Sequence, residues 1–477
     1  MQKKVKDDSM MQTKRNRFSI FVFTIFFLHI IHIAQAQDRE IIIQGGWLFD
    51  SVGDEVTRNT GIVIKSGKFM EVGADLTGRD LSNSEVINLS DEDYILPGIF
   101  DLHAHYNVNL IGKGRKDETS VNPVLFLANG VTSTFPAGEY NPEDMLALRK
   151  RIDRGEQIGP RLYNSGPYYG RTRREWSQDS TRQNIFRDVD YWAEQGAGGF
   201  KAKGVSPGQL KALIERAHQH GLTVTGHLGS GFRNSVNPKT AILMGIDRIE
   251  HFLGGDAISS DKPAYSSLQN FKPGTPEFND IVNLFIKHHV FFDATLTAYG
   301  YYGDRKEGYD YWIDEQKFFT PYVHEYLKDN SPRRASAQFE KIYWVKRKTI
   351  KAFYDAGGGH LITLGTDHPS TGEFIAGFSS HRELEAFVLA GIPNAAAIKI
   401  ATINGARALN VSNKLGSIEA GKFADLFIIR GNPLVKIRNT RNVHMVVKAG
   451  QVYETKTLFK SVEGKMGPKN EADAEKW

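Results

Sequence analysis

The strongest constraint on the fold is the regular alternation of short apolar runs and amphipathic stretches between residues 97 and 410. Helix-like stretches such as PEDMLALRKRID (142–153) and PGQLKALIERAHQHG (207–221) separate the runs. Strands that alternate with helices predict a parallel sheet, and eight repeats predict a (β/α)₈ TIM barrel of the α/β class. The eight strand candidates are residues 99–105, 130–138, 161–169, 198–204, 222–229, 247–255, 289–297 and 360–368.

Both ends of this region have a different character, with short strands and glycine-containing turns. EIIIQGGWLFD and GIVIKSGKFMEVG precede it, and ADLFIIRG and VHMVVKAGQVYE follow it. Such patterns are typical of paired β-strands. We therefore expect one composite β-sandwich from residues 37–96 and 411–456, with the turn at Pro97-Gly98 leading into a barrel domain of residues 97–410. Residues 457–477 are polar and predict a flexible tail.

The first 36 residues predict a signal peptide. The basic KRNR precedes the apolar run FSIFVFTIFFLHIIHIA, and Ala34 and Ala36 form an A-x-A cleavage pattern. Cleavage after Ala36 would give an exported protein, periplasmic or secreted, without a stable membrane anchor. The alternative is an uncleaved anchor, because the run is near the lower length limit for a membrane span.

Charge and cysteine content exclude some functions. Residues 1–17 contribute a net +4 of the chain's +5, so the remainder is close to neutral and gives no electrostatic case for a nucleic-acid partner. No cysteine is present, which excludes disulfides and a lipidated cysteine. We expect a small-molecule partner instead.

The polar residues that end the predicted strands are the candidate functional residues, because active sites of TIM barrels lie at the carboxyl ends of the strands. Strand one ends with His103 and His105, which alternation places on the same side. The others are Lys201, Lys203, His227, His251 and Asp367. Histidine and carboxylate ligands suit zinc or a similar divalent ion.

Each of these residues also has an ordinary structural interpretation. A lone His-x-His pair is a weak metal signal, His227 could be a core histidine, and Asp367 could cap a helix. Lys201 could be a solvated charge at a strand end. The position of the whole set at successive strand ends favours a shared site.

PGIFDLHAH, TGHLG, RIEH and GTD, in this order, resemble the motifs of the amidohydrolase superfamily. The segment ATINGARALNVSNKLGSIEAGKFADLFII is similar to the imidazolonepropionase and metal-dependent dipeptidase branches. The resemblance extends from about residue 39 to residue 454 and implies a TIM barrel with a composite β-sandwich. The HLG and TFPAG segments depart from the family pattern, which leaves the substrate open.

The resemblance also implies a ligand set for two divalent metal ions, expected to be zinc. His103, His105 and Asp367 would bind one ion, and His227 and His251 the other. Lys201 would be carboxylated and bridge both ions, since a plain ammonium has no lone pair to donate. Lys203, two residues on, is its rival.

The implied function is an exported metal-dependent amidohydrolase that cleaves an amide, dipeptide or cyclic amide bond with a metal-activated hydroxide. Asp367 would take a proton from water and return it to the leaving nitrogen. Tyr168, Tyr169 and Arg171 follow strand three and could contact the substrate. Two alternatives remain, a mononuclear deaminase-type hydrolase and a non-catalytic barrel that binds a small molecule. The oligomeric state is open, a homo-oligomer included.

Overall fold

A computed structural model describes residues 40–173, 175–228, 236–251, 253, 269, 271–303, 315–329, 336–369 and 375–477. The predicted signal peptide of residues 1–36 lies outside the described residues. No helix in the described ranges, the first of which starts at Glu40, is long and apolar enough to span a membrane.

The chain begins with a β-rich segment. Its strands, numbered in chain order, are β1 (Glu40–Leu48), β2 (Thr57–Arg58), β3 (Ile62–Lys65), β4 (Lys68–Val72) and β5 (Ser84–Pro97). β1 lies between β3 and β5, antiparallel to the first and parallel to the second. Alternate isoleucines of β1 are buried in the apolar core of this segment, as the period of a strand requires.

Only Gly98 separates the end of β5 from the first barrel strand, which begins at Ile99. A Cβ atom at Gly98 would collide with the side chain of Thr132, so this close approach requires glycine. The strands of this region are β6 (Ile99–Ala104), β7 (Asn107–Val108), β8 (Lys116–Asp117), β9 (Val131–Pro136), β10 (Arg161–Leu162), β11 (Tyr168–Tyr169), β12 (Gly199–Lys203), β13 (Thr223–His227), β14 (Arg248–Glu250), β15 (Phe291–Asp293) and β16 (Ile362–Thr363).

All strands from β6 to β16 pair in parallel with their neighbours, except for the small antiparallel hairpin of β7 and β8. β10 and β11 both belong to the third predicted strand, and they pair with β9 and β12 respectively. Beyond β16, the amide of Leu102 donates to Leu364 O at 2.9 Å, which connects the eighth strand to the first. The fold is the predicted α/β TIM barrel.

Helices separate the barrel strands, and several begin at the signals expected from sequence. Thr181, Ser206, Thr275 and Ser336 each accept a hydrogen bond from a backbone amide of the first turn. The helices of the described residues are α1 (Asn122–Ala128), α2 (Pro142–Asp153), α3 (Arg182–Glu194), α4 (Pro207–Gln219), α5 (Pro238–Met244), α6 (Pro276–His288), α7 (Thr297–Gly303), α8 (Pro321–Asp329), α9 (Ala337–Asp355), α10 (Phe378–Leu389), α11 (Asn394–Ala401), α12 (Ile403–Ala408), α13 (Thr455–Val462) and α14 (Glu471–Lys476).

The chain then returns to the N-terminal β segment with β17 (Leu426–Arg430), β18 (Val443–Lys448) and β19 (Gln451–Glu454). β17 pairs antiparallel with β5, so residues from both chain ends form one sheet. This pairing agrees with the composite β domain expected from the sequence.

The segment after residue 456 differs from the flexible tail expected from its polar composition. It contains most of α13 and all of α14, and Met466 is fully buried. Met466 donates its amide to Phe318 O at 2.8 Å, and the Phe459 ring stacks on that of Phe378 at 5.5 Å. The buried side chains of Leu458, Val462 and Met466 are spaced four residues apart. Their packing anchors the segment on the barrel.

We expect the substitution Met466→Ala to lower the free energy of unfolding by about 2–5 kcal/mol, because it leaves a cavity at a fully buried position. Urea unfolding followed by circular dichroism would measure the change. The exposed Lys469→Ala variant is the control and should shift stability by less than about 0.5 kcal/mol. Equal midpoints for the two variants would show that the segment does not pack as described.

Candidate metal centre

The predicted ligands lie at the carboxyl ends of different barrel strands. His103 lies on β6 and His105 just beyond it, Lys201 is on β12, and His227 ends β13. His251 follows β14 directly, and Asp367 lies four residues beyond β16. Because parallel strands end at one rim, residues far apart in sequence are brought together there.

Three of these side chains form a tight group. His103, His251 and Asp367 each offer a ligand atom, and these atoms all lie within 4.8 Å of one another. His105 Nε2 lies 3.0 Å from Asp367 Oδ1, and His103 Nε2 lies 3.5 Å from the same oxygen. The ring of His227 is 4.5 Å from that of His251. The four imidazoles and the carboxylate therefore surround one region of the rim.

Burial sets the charge of these groups. Burial lowers the pKa of His103, His227 and His251 well below its usual value, and neighbouring lysines lower it further. The imidazoles are therefore neutral and keep a lone pair for a metal ion. Burial raises the pKa of Asp367, but its close contact with His103 and its hydrogen bond with His105 lower it more, and the net pKa lies well below the usual range. Asp367 is ionised.

Lys201 is the most deeply buried lysine of the site, with 1% of its surface exposed. Its Nζ atom contacts the carboxylate of Glu250, which is equally buried and also accepts a hydrogen bond from Thr225 Oγ1. Burial and the nearby Lys203 lower the pKa of Lys201 well below its usual value. A lysine that readily loses its proton can react with carbon dioxide, since only the neutral amine is a nucleophile.

The seventh strand supplies no predicted ligand, yet it orients two of them. Asp293, at the end of β15, is hydrogen bonded to His103 Nδ1 at 3.1 Å. Thr295 Oγ1 donates to Ala294 O and lies 2.7 Å from His251 Nδ1. The hydroxyl proton is thus used, so Nδ1–H of His251 donates to Thr295 and Nε2 keeps its lone pair.

Asp293 and Thr295 were not predicted from the sequence, although a signal for them exists. Polar residues alternate at positions 293, 295 and 297 in HVFFDATLT, and such alternation places them on one side of the chain. Thr297 Oγ1 accordingly reaches Thr366 O, the residue before Asp367, at 3.2 Å.

Asp101 fixes the backbone that carries the ligands, and it was also missed. Its carboxylate accepts hydrogen bonds from the amide of His103, from the amide and hydroxyl of Thr366, and from Ser380 Oγ. Burial raises the pKa of Asp101 to about 6, although these hydrogen bonds lower it. Asp101 thus connects the first strand to the loop that carries Asp367.

The backbone at the centre is held in an unusual conformation. His251, Thr295 and Asp367 have φ angles of 67°, 44° and 60°, in the left-handed region that non-glycine residues rarely adopt. This conformation is least favourable in free energy for a β-branched residue such as Thr295. Strained backbone of this kind concentrates at functional sites, where the surrounding contacts hold it in place.

The donor set fits a divalent metal ion. His105 Nδ1 is buried and has no hydrogen-bond partner within the part of the chain that the structure describes, although His105 Nε2 contacts Asp367. Neutral imidazole nitrogens and an ionised carboxylate are donors that zinc prefers, and the ligand atoms of three of these residues lie within 4.8 Å of one another. The assignment of individual ligands, and of Lys201 rather than Lys203 as a bridge, stays a prediction.

The predicted substrate contacts separate into different environments. Tyr168 faces the site, where its ring lies 5.9 Å from Lys203 Nζ. Tyr169 instead points away and is fully buried, with its ring against Phe200 at 5.6 Å. This placement differs from the expectation, because successive residues of a strand face opposite sides. Arg171 is exposed and donates to Gln178 Oε1 at 3.3 Å.

Comparison with known proteins adds the family. The model of the Amidohydrolase family matches residues 94–453. A crystal structure of a Xaa-Pro dipeptidase with bound methionine is 22% identical, with a TM-score of 0.64 over 87% of this chain and 100% of that one. The A. niger ochratoxinase is 19% identical, with a TM-score of 0.62 over 88% and 96%. Phenylurea hydrolase B is 19% identical, with a TM-score of 0.65 over 90% and 100%. No curated protein sequence matches the chain.

We expect Thr295→Val to weaken metal binding by about 10- to 100-fold, because it removes the hydroxyl that fixes His251. Competition for the metal with a chelator of known affinity would measure the change. Thr295→Ser keeps the hydroxyl and should bind metal like the wild type. If the valine and serine variants hold metal equally well, Thr295 does not orient this histidine.

Proposed function

The chain belongs to the amidohydrolase family and is a hydrolase that acts on carbon–nitrogen bonds, and we propose that it cleaves an amide, dipeptide or cyclic amide with the help of divalent metal ions. The observation that carries this proposal is the group formed by His103, His251 and Asp367, whose ligand atoms lie within 4.8 Å of one another. Three barrel strands contribute one residue each, which a structural role would not require.

In the proposed centre, His103, His105 and Asp367 would hold one ion, and His227 and His251 would hold a second, both expected to be zinc. Lys201 would join them as a carbamate. Its neutral amine would attack carbon dioxide, form an N–C bond and release one proton, and this gives an anionic ligand in place of a cation. The deep burial of Lys201 and its low pKa support this assignment.

A bound divalent ion would supply Lewis acidity, which lowers the pKa of a water and polarises the substrate carbonyl. Asp367 is ionised and its side chain is 32% exposed, so it can accept a proton from water at the open side of the rim. Asp367 would then return that proton to the leaving nitrogen as the C–N bond breaks. One water is consumed, and the products are an amine and a carboxylic acid.

A mononuclear hydrolase of the deaminase type is the second candidate, and one observation favours it. The group of closest donor atoms in the described residues joins His103, His251 and Asp367 into a single set, in which one ion would suffice. In that case Lys201 would stay an unmodified lysine paired with Glu250. The two candidates differ in metal content.

The names of the similar structures leave the substrate broad. They include a Xaa-Pro dipeptidase, an ochratoxinase and a phenylurea hydrolase. Peptides and non-peptide amides are therefore both within the proposed range.

We also propose that the protein is exported, with cleavage after Ala36. The basic KRNR, the following apolar run and the A-x-A pattern of Ala34 and Ala36 support this proposal. We expect intact-mass measurement of the protein expressed from its full-length gene to show a mature chain that begins at Gln37. A full-length chain retained in the membrane fraction would favour the uncleaved anchor.

We expect protein purified with bicarbonate to contain about two divalent ions per chain, and Lys201→Ala to contain about one or none, because the bridge is lost. Elemental analysis measures the content, and removal of the metal with a chelator should abolish amide hydrolysis. Lys203→Met is the matched control and should keep the wild-type content. About one ion per chain, unaffected by Lys201→Ala, would support the mononuclear candidate instead.

A further inference from the structure

Lys203 is a cation beside the metal centre that the proposed mechanism does not use. It ends β12, lies opposite His227 in the neighbouring strand, and is half-buried. Its Nζ atom lies 5.9 Å from the centre of the Tyr168 ring. Among the described residues no carboxylate forms an ion pair with Lys203. Partial removal of a lysine from water without a counter-ion costs free energy, and an anion bound at this rim would offset that cost.

A second cation, Arg115, lies in the loop between β7 and β8. Its Nη1 donates to Tyr140 OH at 2.7 Å, and the guanidinium lies 5.6 Å from the centre of that ring. The Tyr140 ring in turn contacts the Tyr168 ring at 5.3 Å. Arg115 and Lys203 therefore both border one pair of tyrosine rings. Within the described residues Tyr140 accepts one hydrogen bond from the exposed Arg115, and the other guanidinium donors can bind an anion.

Among the residues that the structure describes, no carboxylate of this region forms a direct ion pair with Lys203 or Arg115. The ionised Asp367 instead contacts His105 and His103. Asp117 accepts a hydrogen bond from Asn141 at 2.7 Å. Burial raises the pKa of Glu139 to about 8, so this carboxyl is largely neutral at pH 7.

Lys203 and Arg115 both border the pair of rings formed by Tyr140 and Tyr168, so two like charges that repel each other lie in one part of the rim. An anion from outside the chain would relieve this repulsion, and a carboxylate suits both partners. Arginine binds a carboxylate through two parallel hydrogen bonds, and lysine binds it as a point charge.

We propose that Lys203 and Arg115 recognise a free carboxylate on the substrate, so that the enzyme prefers N-acyl amino acids and dipeptides over neutral or cyclic amides. This inference rests on the proposed hydrolase function. The carboxylate would lie on the amine side of the scissile bond, and the Tyr140 and Tyr168 rings would contact the adjacent side chain. In this arrangement the two cations place the amide at the metal centre without contacting the reacting atoms.

The test compares matched substrates that differ in one group. Ala-Phe and N-acetyl-phenylalanine carry a free carboxylate, and their carboxamides do not. Release of alanine or acetate reports cleavage of the same bond in both forms. We expect the wild type to prefer the carboxylates, and Lys203→Met or Arg115→Gln to lower the ratio of kcat/KM values about 10- to 100-fold, mainly through KM.

Lys211→Met is the matched control, because this exposed lysine on α4 is not one of the residues of the proposed site. It should leave the ratio unchanged. All variants should keep the wild-type metal content, and a loss of metal in Lys203→Met would overturn the inference by placing Lys203 in the metal centre. Hydrolysis with no preference for the carboxylate, and a ratio that neither variant changes, would overturn it while the proposed function stands.

If the metal-loaded wild type cleaves none of the four compounds, the proposed function fails for these amides. A binding measurement then still tests whether Lys203 and Arg115 recognise a carboxylate. Calorimetric titration would compare phenylalanine with phenylalaninamide, which differ only at the carboxylate. We expect the wild type to bind phenylalanine more tightly and Lys203→Met to lose this difference. Equal affinity of the wild type for both compounds would overturn the proposal.

Discussion

The junction between the first and the last barrel strand is the interaction on which the centre depends. The amide of Asp367 donates to His103 O at 2.9 Å, so residues 264 positions apart are neighbours. The buried carboxylate of Asp101 strengthens this junction, because it accepts hydrogen bonds from His103 and Thr366 at once. Without these contacts His103 and Asp367 would have no fixed geometry relative to each other, whatever their chemistry.

Around this junction, burial and hydrogen bonding act together on the ligands. Burial keeps the imidazoles neutral. Hydrogen bonds from polar groups of the seventh strand determine which ring nitrogen faces the centre. Thr295 engages His251 Nδ1, and Asp293 engages His103 Nδ1. These partners leave the Nε2 atoms directed toward the centre. The strained φ angle of Thr295 shows how strongly the surrounding structure fixes this arrangement.

The two lysines of strand four show how small differences in position separate roles. Lys201 and Lys203 are two residues apart and so lie on one face of the strand. Lys201 is almost fully buried against Glu250, whereas Lys203 lies one step closer to the open rim, beside Tyr168. A buried lysine suits reaction with carbon dioxide, and a lysine at the rim suits contact with a substrate anion. Their depth in the barrel, which the tertiary structure sets, distinguishes them.

The sequence alone determined the order of strands and helices, the strand character of both chain ends and the strand-end position of residues such as His103, because each depends on local periodicity. Only the tertiary structure decided that Asp293 and Thr295 orient the histidines, since such contacts join residues distant in sequence. It also decided that Tyr169 packs outward and that Met466 anchors the C-terminal segment. These outcomes depend on which surfaces meet after folding, and composition does not encode that directly.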